Sequence, residues 1–159
     1  MATGTPATTT LNAASISFIA HEYDHDPSTA SFGLEAADKL GFDPAQVFKT
    51  LVAEVDGKPT VAVVPVSAHL SLKSLARACS AKKAVMADPS VASRITGYVV
   101  GGISPIGQKK KLPTVLDISA TAFATILVSG GRRGFDIELS PTDLISVCDA
   151  VTGDIAEWS

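Results

Sequence analysis

The sequence predicts an α+β fold, a single domain built on a mixed, curled, β-barrel-like sheet with helices outside it. Three observations carry that prediction. Short runs of β-branched and aromatic residues recur along the chain, segments of helical period interrupt them, and no linker, repeat or low-complexity block divides the order. With 159 residues, 46% hydrophobic and 18% charged, the chain is long enough to bury a core and too apolar for disorder. No apolar run approaches the roughly 18 residues of a membrane helix. The opening MATGTPATTT lacks the basic and apolar regions of a secretory signal. A cytoplasmic protein is expected.

Residues 6–14, rich in Thr and Ala, predict a short helix, and ISFIAHEY (16–23) a strand. STASFGLEAADKLG (28–41) predicts a helix closed by Gly41. VFKTLVAEV and TVAVVPV flank DGKP as the arms of a hairpin. Alternation along the first arm sets Lys49 and Thr50 on opposite faces. LSLKSLARACSA reads as an amphipathic helix and AVMA as a short strand. DPSVASRI opens a helix with Asp88 as N-cap and Pro89 at its first position. Then come GYVV as a strand leading into a glycine loop, TVLDIS, FATILVS, a second glycine loop GGRRG, and FDIEL. The last helix starts at SPTD, where Ser140 and Asp143 have capping-box spacing.

Cys79 and Cys148 each continue an i, i+3, i+4, i+7 apolar pattern, which makes them core positions rather than nucleophiles. His21 and His25 sit among acids in HEYDHD without the third ligand a zinc site needs, so no metal is expected. No other cofactor is called for either: neither a Walker loop nor a dinucleotide fingerprint occurs. Net charge is −3, yet residues 73–133 hold ten basic side chains against two acids, a local +8 beside −11 elsewhere. Such asymmetry reads either as an anion-attracting surface or as an ordinary solvated face.

The two glycine loops, VVGGISPIGQKKK and ILVSGGRRG, read as tight turns or as amide nests open to a ligand. Lys49 stands alone in an apolar strand. It is either an edge residue whose ammonium reaches water or a fixed cation at the base of a pocket.

YDHDP, VFKTLV, MADPSVASRITGYVVGGISPIGQKK, LPTVLD and ILVSGGRRGFDIEL together resemble the YbaK family of Cys-tRNA(Pro)/Cys-tRNA(Cys) deacylases. That family shares its fold with the editing (insertion) domain of bacterial prolyl-tRNA synthetase. The resemblance runs from about Ser15 to Asp154; it implies one editing domain over 15–159 and leaves 1–14 as a poorly matched tail or short helix. It implies trans-editing of Cys-tRNA(Pro), with aminoacyl-tRNA and prolyl-tRNA synthetase as partners and neither DNA nor membrane involved. The family's essential lysine falls on Lys49 and its Gly-x-x-x-Pro loop on Gly101, Gly102, Ile103, Ser104 and Pro105. Its substrate-pocket positions fall on Tyr23, Phe32, Thr50, Ser129, Gly130 and Asp136. Lys109, Lys110, Lys111 and Arg132 are candidates for the tRNA backbone.

The resemblance also implies why no Ser, Cys or His triad is apparent. The cysteinyl thiol of the substrate attacks its own ester, and the protein positions the reacting atoms and stabilises the oxyanion. The rival readings are a non-catalytic module for the aminoacyl-tRNA 3′ end or a synthetase, an alanine-specific tRNA(Pro) deacylase, and a nucleotide-binding regulator.

Overall fold

A computed structural model describes residues 4–29 and 31–158. Residues 1–3 of the expected N-terminal segment, Ala30 of the expected 28–41 helix, and Ser159 lie outside the described residues. In chain order the elements are α1 (Pro6–Ala13), β1 (Ile19–Glu22), α2 (Phe32–Leu40), β2 (Phe48–Val55), β3 (Lys58–Pro65), β4 (Ala68–Leu70), α3 (Leu72–Ala78) and β5 (Ala84–Met86). They continue with α4 (Pro89–Thr96), β6 (Thr114–Asp117), a 3-10 turn at Ile118–Ala122, β7 (Ile126–Arg132), β8 (Phe135–Leu139), α5 (Pro141–Cys148), β9 (Val151–Gly153) and β10 (Ala156–Trp158).

Local chemistry explains most of these boundaries. Ser31, Ser71, Asp88 and Ser140 each accept a backbone N–H of the first turn of α2, α3, α4 and α5. Asp56 and Gly57, with φ of 48° and 80°, make the two-residue turn that pairs Val55 with Lys58.

Pairing gives a five-stranded sheet ordered β5-β2-β3-β6-β9, a three-stranded sheet ordered β1-β8-β7, and the pair β10-β4. The large sheet is mixed: β5, β2 and β3 run antiparallel, whereas β6 joins β3, and β9 joins β6, in parallel. The expected barrel-like closure is absent: the strands form separate sheets and do not close into a barrel. Among the described residues the two larger sheets meet at one isolated parallel bridge, Val47 to Leu127.

The large sheet is covered on both sides, as the unbroken apolar run of β3 requires. Val61 and Val63 point to a core shared with α1, β7, β8 and α5. Ala62 and Val64 point to a second core with Leu75 of α3, Val115 and Ile155. Helix α1 belongs to the first of these, with Ala7 and Leu11 fully buried. Thr5, its N-cap, donates to the Gly130 carbonyl at 2.6 Å. Among the described residues no helix is long and apolar enough to cross a membrane.

Two local expectations are corrected. Residues 98–100 form no strand: Tyr98 is buried, its hydroxyl donating to the Ile106 carbonyl at 2.6 Å, and the chain turns at once. Gly130 and Gly131 are not a loop but lie inside β7, where a bulge between Ser129 and Arg132 absorbs them. The reversal itself falls at Arg133–Gly134.

Because Leu11 is fully buried, Leu11→Ala is expected to cost about 2–5 kcal/mol of unfolding free energy. Urea denaturation measures it, and a loss under about 1 kcal/mol would remove α1 from the core.

Candidate functional site

The site forms where β2 divides its outer edge between two neighbours. At one end the Leu127 N–H of β7 donates to the Gln46 carbonyl, and at the other β5 pairs with Ala53, Glu54 and Val55. Between them the edge is uncovered. The backbone alternates along a strand. The Val47 carbonyl accepts from Val66 on the β3 side, whereas Gln46, Val52 and Asp56 bond to partners on the outer side. Thr50 therefore directs its backbone N–H and C=O into the opening.

A cavity of about 280 Å³ occupies this gap. One end of α2 (Phe32, Gly33 and Ala36), β2 from Phe48 to Val52, the start of α4, and residues of β7 and β8 line it. Lys49 and Thr50 both line it, although side-chain alternation puts them on opposite faces of β2. The cavity wraps the strand edge, so both faces contribute.

Among the described residues, three polar side chains here lack partners. Among the described residues no carboxylate lies within ion-pairing distance of the half-buried Lys49 ammonium, and desolvation holds it below the ordinary lysine value. Asp136 is 6% exposed, and burial pushes its carboxyl up to about 7. Thr50 Oγ1 is buried and unpaired, one of two such side-chain atoms among the described residues, with Ser119 Oγ. Tyr23 is pushed up to about 12, first by burial and then by the nearby Asp136 charge, so its phenol stays a proton donor.

One wall is the turn Val99–Gly102, closed by the Gly102 N–H donating to the Val99 carbonyl at 2.9 Å. Gly101 occupies its third position at φ 88°, while Val100 has ordinary negative φ, which makes the turn type II. A side chain at Gly101 would also stand 2.9 Å from the Phe32 ring.

The structure thus brings Tyr23, Phe32, Lys49, Thr50, Gly101, Ile103, Ser129 and Asp136 to one cavity. Gly102, Ser104, Pro105 and Gly130 do not line it. Gly102 packs against the backbone of Arg132–Arg133, and Gly130 lies under the Phe135 ring. Ser104 is fully buried, accepting from the Ile106 N–H, and the Pro105 carbonyl accepts from the Cys148 thiol at 3.2 Å. Lys109, Lys110 and Lys111 are exposed, with Lys111 3.5 Å from Asp149. Arg132 pairs with Glu22 at 3.0 Å and lies over Phe135.

Sequence reasoning counted its neighbour Arg133 among the basic residues but gave no place in the site to this side chain, which sits over the Phe32 ring at 4.9 Å and donates from Nε to the Val100 carbonyl at 2.9 Å. It also missed the apolar lining from Met86, Ala87 and Pro89, since nothing local marks a short edge strand as a pocket wall. His21 Nε2 lies 2.8 Å from Glu138 Oε1 and His25 Nδ1 2.7 Å from Glu35 Oε1. Among the described residues no group of three His, Cys, Asp or Glu side chains is placed to hold a metal.

Compared with known proteins, residues 26–147 match the aminoacyl-tRNA editing domain family. Enterococcus faecalis EbsC, provisionally named a Cys-tRNA(Pro)/Cys-tRNA(Cys) deacylase, is 42% identical over 121 residues, spanning 75% of this chain and 73% of EbsC. A proline–tRNA ligase of Citrifermentans bemidjiense is 33% identical over 85 residues, 54% of this chain and 15% of the ligase. Among solved structures, the hypothetical protein APE2540 superimposes with a TM-score of 0.86 at 24% identity, over 96% of this chain and 100% of its own. A protein provisionally described as a trans-editing enzyme for prolyl-tRNA synthetase reaches 0.81 at 21% identity, over 98% and 99%. These two solved structures show the shared fold alone.

Asp136 gives the site a pH signature. Folding raises its pKa from 3.8 to about 7, so the folded state binds the proton more tightly. The resulting stabilisation is complete below about pH 4 and is lost as pH rises through about 7. The loss is on the order of 4 kcal/mol at most. Unfolding free energy measured across this range should fall in the wild type and stay flatter in Asp136→Asn; parallel curves would place the titration elsewhere.

Proposed function

The chain belongs to the aminoacyl-tRNA editing-domain family, and from that premise we propose that it is a trans-editing deacylase. It removes cysteine from mischarged Cys-tRNA(Pro), and from Cys-tRNA(Cys). One observation carries this reading: an ammonium, a carboxyl and a hydroxyl without partners meet in a cavity whose lining includes two serines but no cysteine or histidine. Such a cavity is equipped to orient a polar ligand and not to attack it.

Both thiols are elsewhere. Cys148 is buried and pushed up to about 12 by desolvation, and Cys79 lines a different cavity with its pKa raised by burial. The nucleophile is therefore the substrate's own. The cysteinyl sulfur forms a bond to its ester carbonyl carbon, and the bond to the ribose oxygen breaks. The thiol proton ends on that oxygen, leaving free tRNA and a cyclic thiolactone. Holding sulfur and carbonyl in a near-attack pose is worth roughly 7–11 kcal/mol in favourable cases. One fixed donor to the oxyanion adds about 3–4 kcal/mol.

The Gly101 amide is that donor. Gly102 is not, because its N–H is spent on Val99. Lys49 offsets the developing charge and orients the terminal nucleotide. Thr50, Ser129, Asp136 and Tyr23 hold the α-amine and sugar hydroxyls, and Phe32 closes the pocket.

Selectivity then follows from reactivity. Serine is nearly the size of cysteine but a poor internal nucleophile, and contacts alone discriminate such side chains weakly. Prolyl-tRNA synthetase presents the tRNA, consistent with a net charge of −3 and a basic segment confined to one part of the chain. The compartment is the cytoplasm, where aminoacyl-tRNA is consumed.

A deacylation panel of Cys-, Ser-, Ala- and Pro-tRNA(Pro) tests this reading. Cysteine should be released fastest, and Lys49→Ala should abolish release. Cys79→Ala and Cys148→Ala, checked for folding by circular dichroism, should retain it. Equal rates on cysteinyl and alanyl substrates would sink self-cyclisation in favour of an alanine-directed deacylase, and binding without turnover would make the protein a carrier.

A further inference from the structure

We infer that Arg133 is a positioning residue that sets which way the Val100–Gly101 peptide faces, and so aims the Gly101 N–H into the cavity. The inference deepens the deacylase reading and rests on it for the use of that donor. It starts from the turn. In a type II turn the central peptide is rotated by about half a revolution relative to type I, and the carbonyl of the second residue lies on the side where a third-residue Cβ would stand. Both markers identify that side here. Arg133 Nε is 2.9 Å from the Val100 oxygen, and the place a Gly101 Cβ would occupy is 3.0 Å from that nitrogen and 2.9 Å from the Phe32 ring beneath it. The peptide is trans, so its N–H points opposite to its C=O. Val100 and Gly101 line the cavity and Arg133 does not. With the carbonyl held on the arginine side, the N–H is turned to the cavity, and it has no protein acceptor among the described residues.

Arg133 is itself held in place. Its guanidinium lies over the Phe32 ring, 4.9 Å from the centroid, and the His25 ring is also beside Phe32, 5.6 Å between centroids. His25 Nδ1 is 2.7 Å from Glu35 Oε1. The buried Glu35 carboxylate also accepts the Asp26 N–H and pairs with Lys39. A planar group that both stacks and donates at its edge is required, and a lysine supplies neither geometry. Since Arg133 is exposed, replacing it leaves the core intact and isolates the effect.

The test compares Arg133→Met and Arg133→Lys with the wild type, using Lys58→Met at the distant hairpin as a control for the loss of a surface charge. On Cys-tRNA(Pro), both Arg133 variants should lose about ten- to a hundred-fold in kcat, short of complete loss of an oxyanion donor, with KM changed less than about twofold. Without substrate, the residual dipolar coupling of the Gly101 N–H should change in both variants and stay put in Lys58→Met, while couplings across β2 and β3 are retained. An unchanged Gly101 coupling overturns the inference, as does a rise in KM at constant kcat, which would make Arg133 a substrate contact. If the wild type releases no amino acid from any tRNA, the deacylase reading fails, and the coupling alone still decides whether Arg133 orients the peptide.

Discussion

The division of β2 between two neighbours organises this molecule. A strand covered along its whole outer edge would leave no room for a ligand, and one left bare would invite pairing with another chain. Here β7 touches the strand at Val47 and β5 takes it up again at Ala53, so only the middle is uncovered. The bare edge lies inside a cavity rather than on the surface, roofed by α2, α4 and the Val99–Gly102 turn. The opposite edge pairs with β3 from Phe48 to Val55 without a register shift, which makes the floor of the site rigid.

That rigidity is what makes the polar groups informative. A buried hydroxyl or carboxyl without a partner costs about 1–3 kcal/mol, and a lysine half-withdrawn from water without a counter-ion adds to that cost. Among the described residues, Ser119 Oγ is the other buried side-chain atom without a partner, whereas the buried carboxylates away from the cavity are satisfied. Asp117 accepts from the N–H groups of Ser119, Ile155 and Ala156, and Glu35 from Asp26, His25 and Lys39. The exceptions at Lys49, Thr50 and Asp136 share one cavity, as expected where ligand groups complete the hydrogen bonding.

The walls are less rigid by construction than the floor. The Val99–Gly102 turn is held by one backbone hydrogen bond, by the fit of Gly101 against Phe32, and by Arg133 from outside. Behind it, α1 is part of the support: Thr5 caps the helix and grips the Gly130 carbonyl, and Tyr98 packs against Gly131. The family match begins only at residue 26, yet the preceding helix is packed into the same core and braces the same wall.

Much of this was legible in the residues. The hairpin at Asp56–Gly57, the N-caps Asp88 and Ser140, and the alternation of β2 are local signals with local causes, and they appear where expected. Lys49 stood out because a charge in an apolar strand is costly wherever it lies, and the motif resemblance pointed to eight of the residues that line the cavity, both of its charged ones included. Tertiary structure alone decided the rest. GYVV has strand composition, but Tyr98 is drawn into the core by the Ile106 carbonyl, so the segment turns. The paired glycines of GGRRG look like a loop and form a bulge, because β8 lies close enough to pair on both sides of them. Arg132 and Arg133 are chemically the same and adjacent. Consecutive strand-end residues point in different directions, so one reaches Glu22 and the other reaches Phe32 and Val100. Sequence determines which side chains carry charge and which backbone positions can turn. Only the packed chain determines which of those charges face each other across a cavity, because that depends on distances between segments dozens of residues apart.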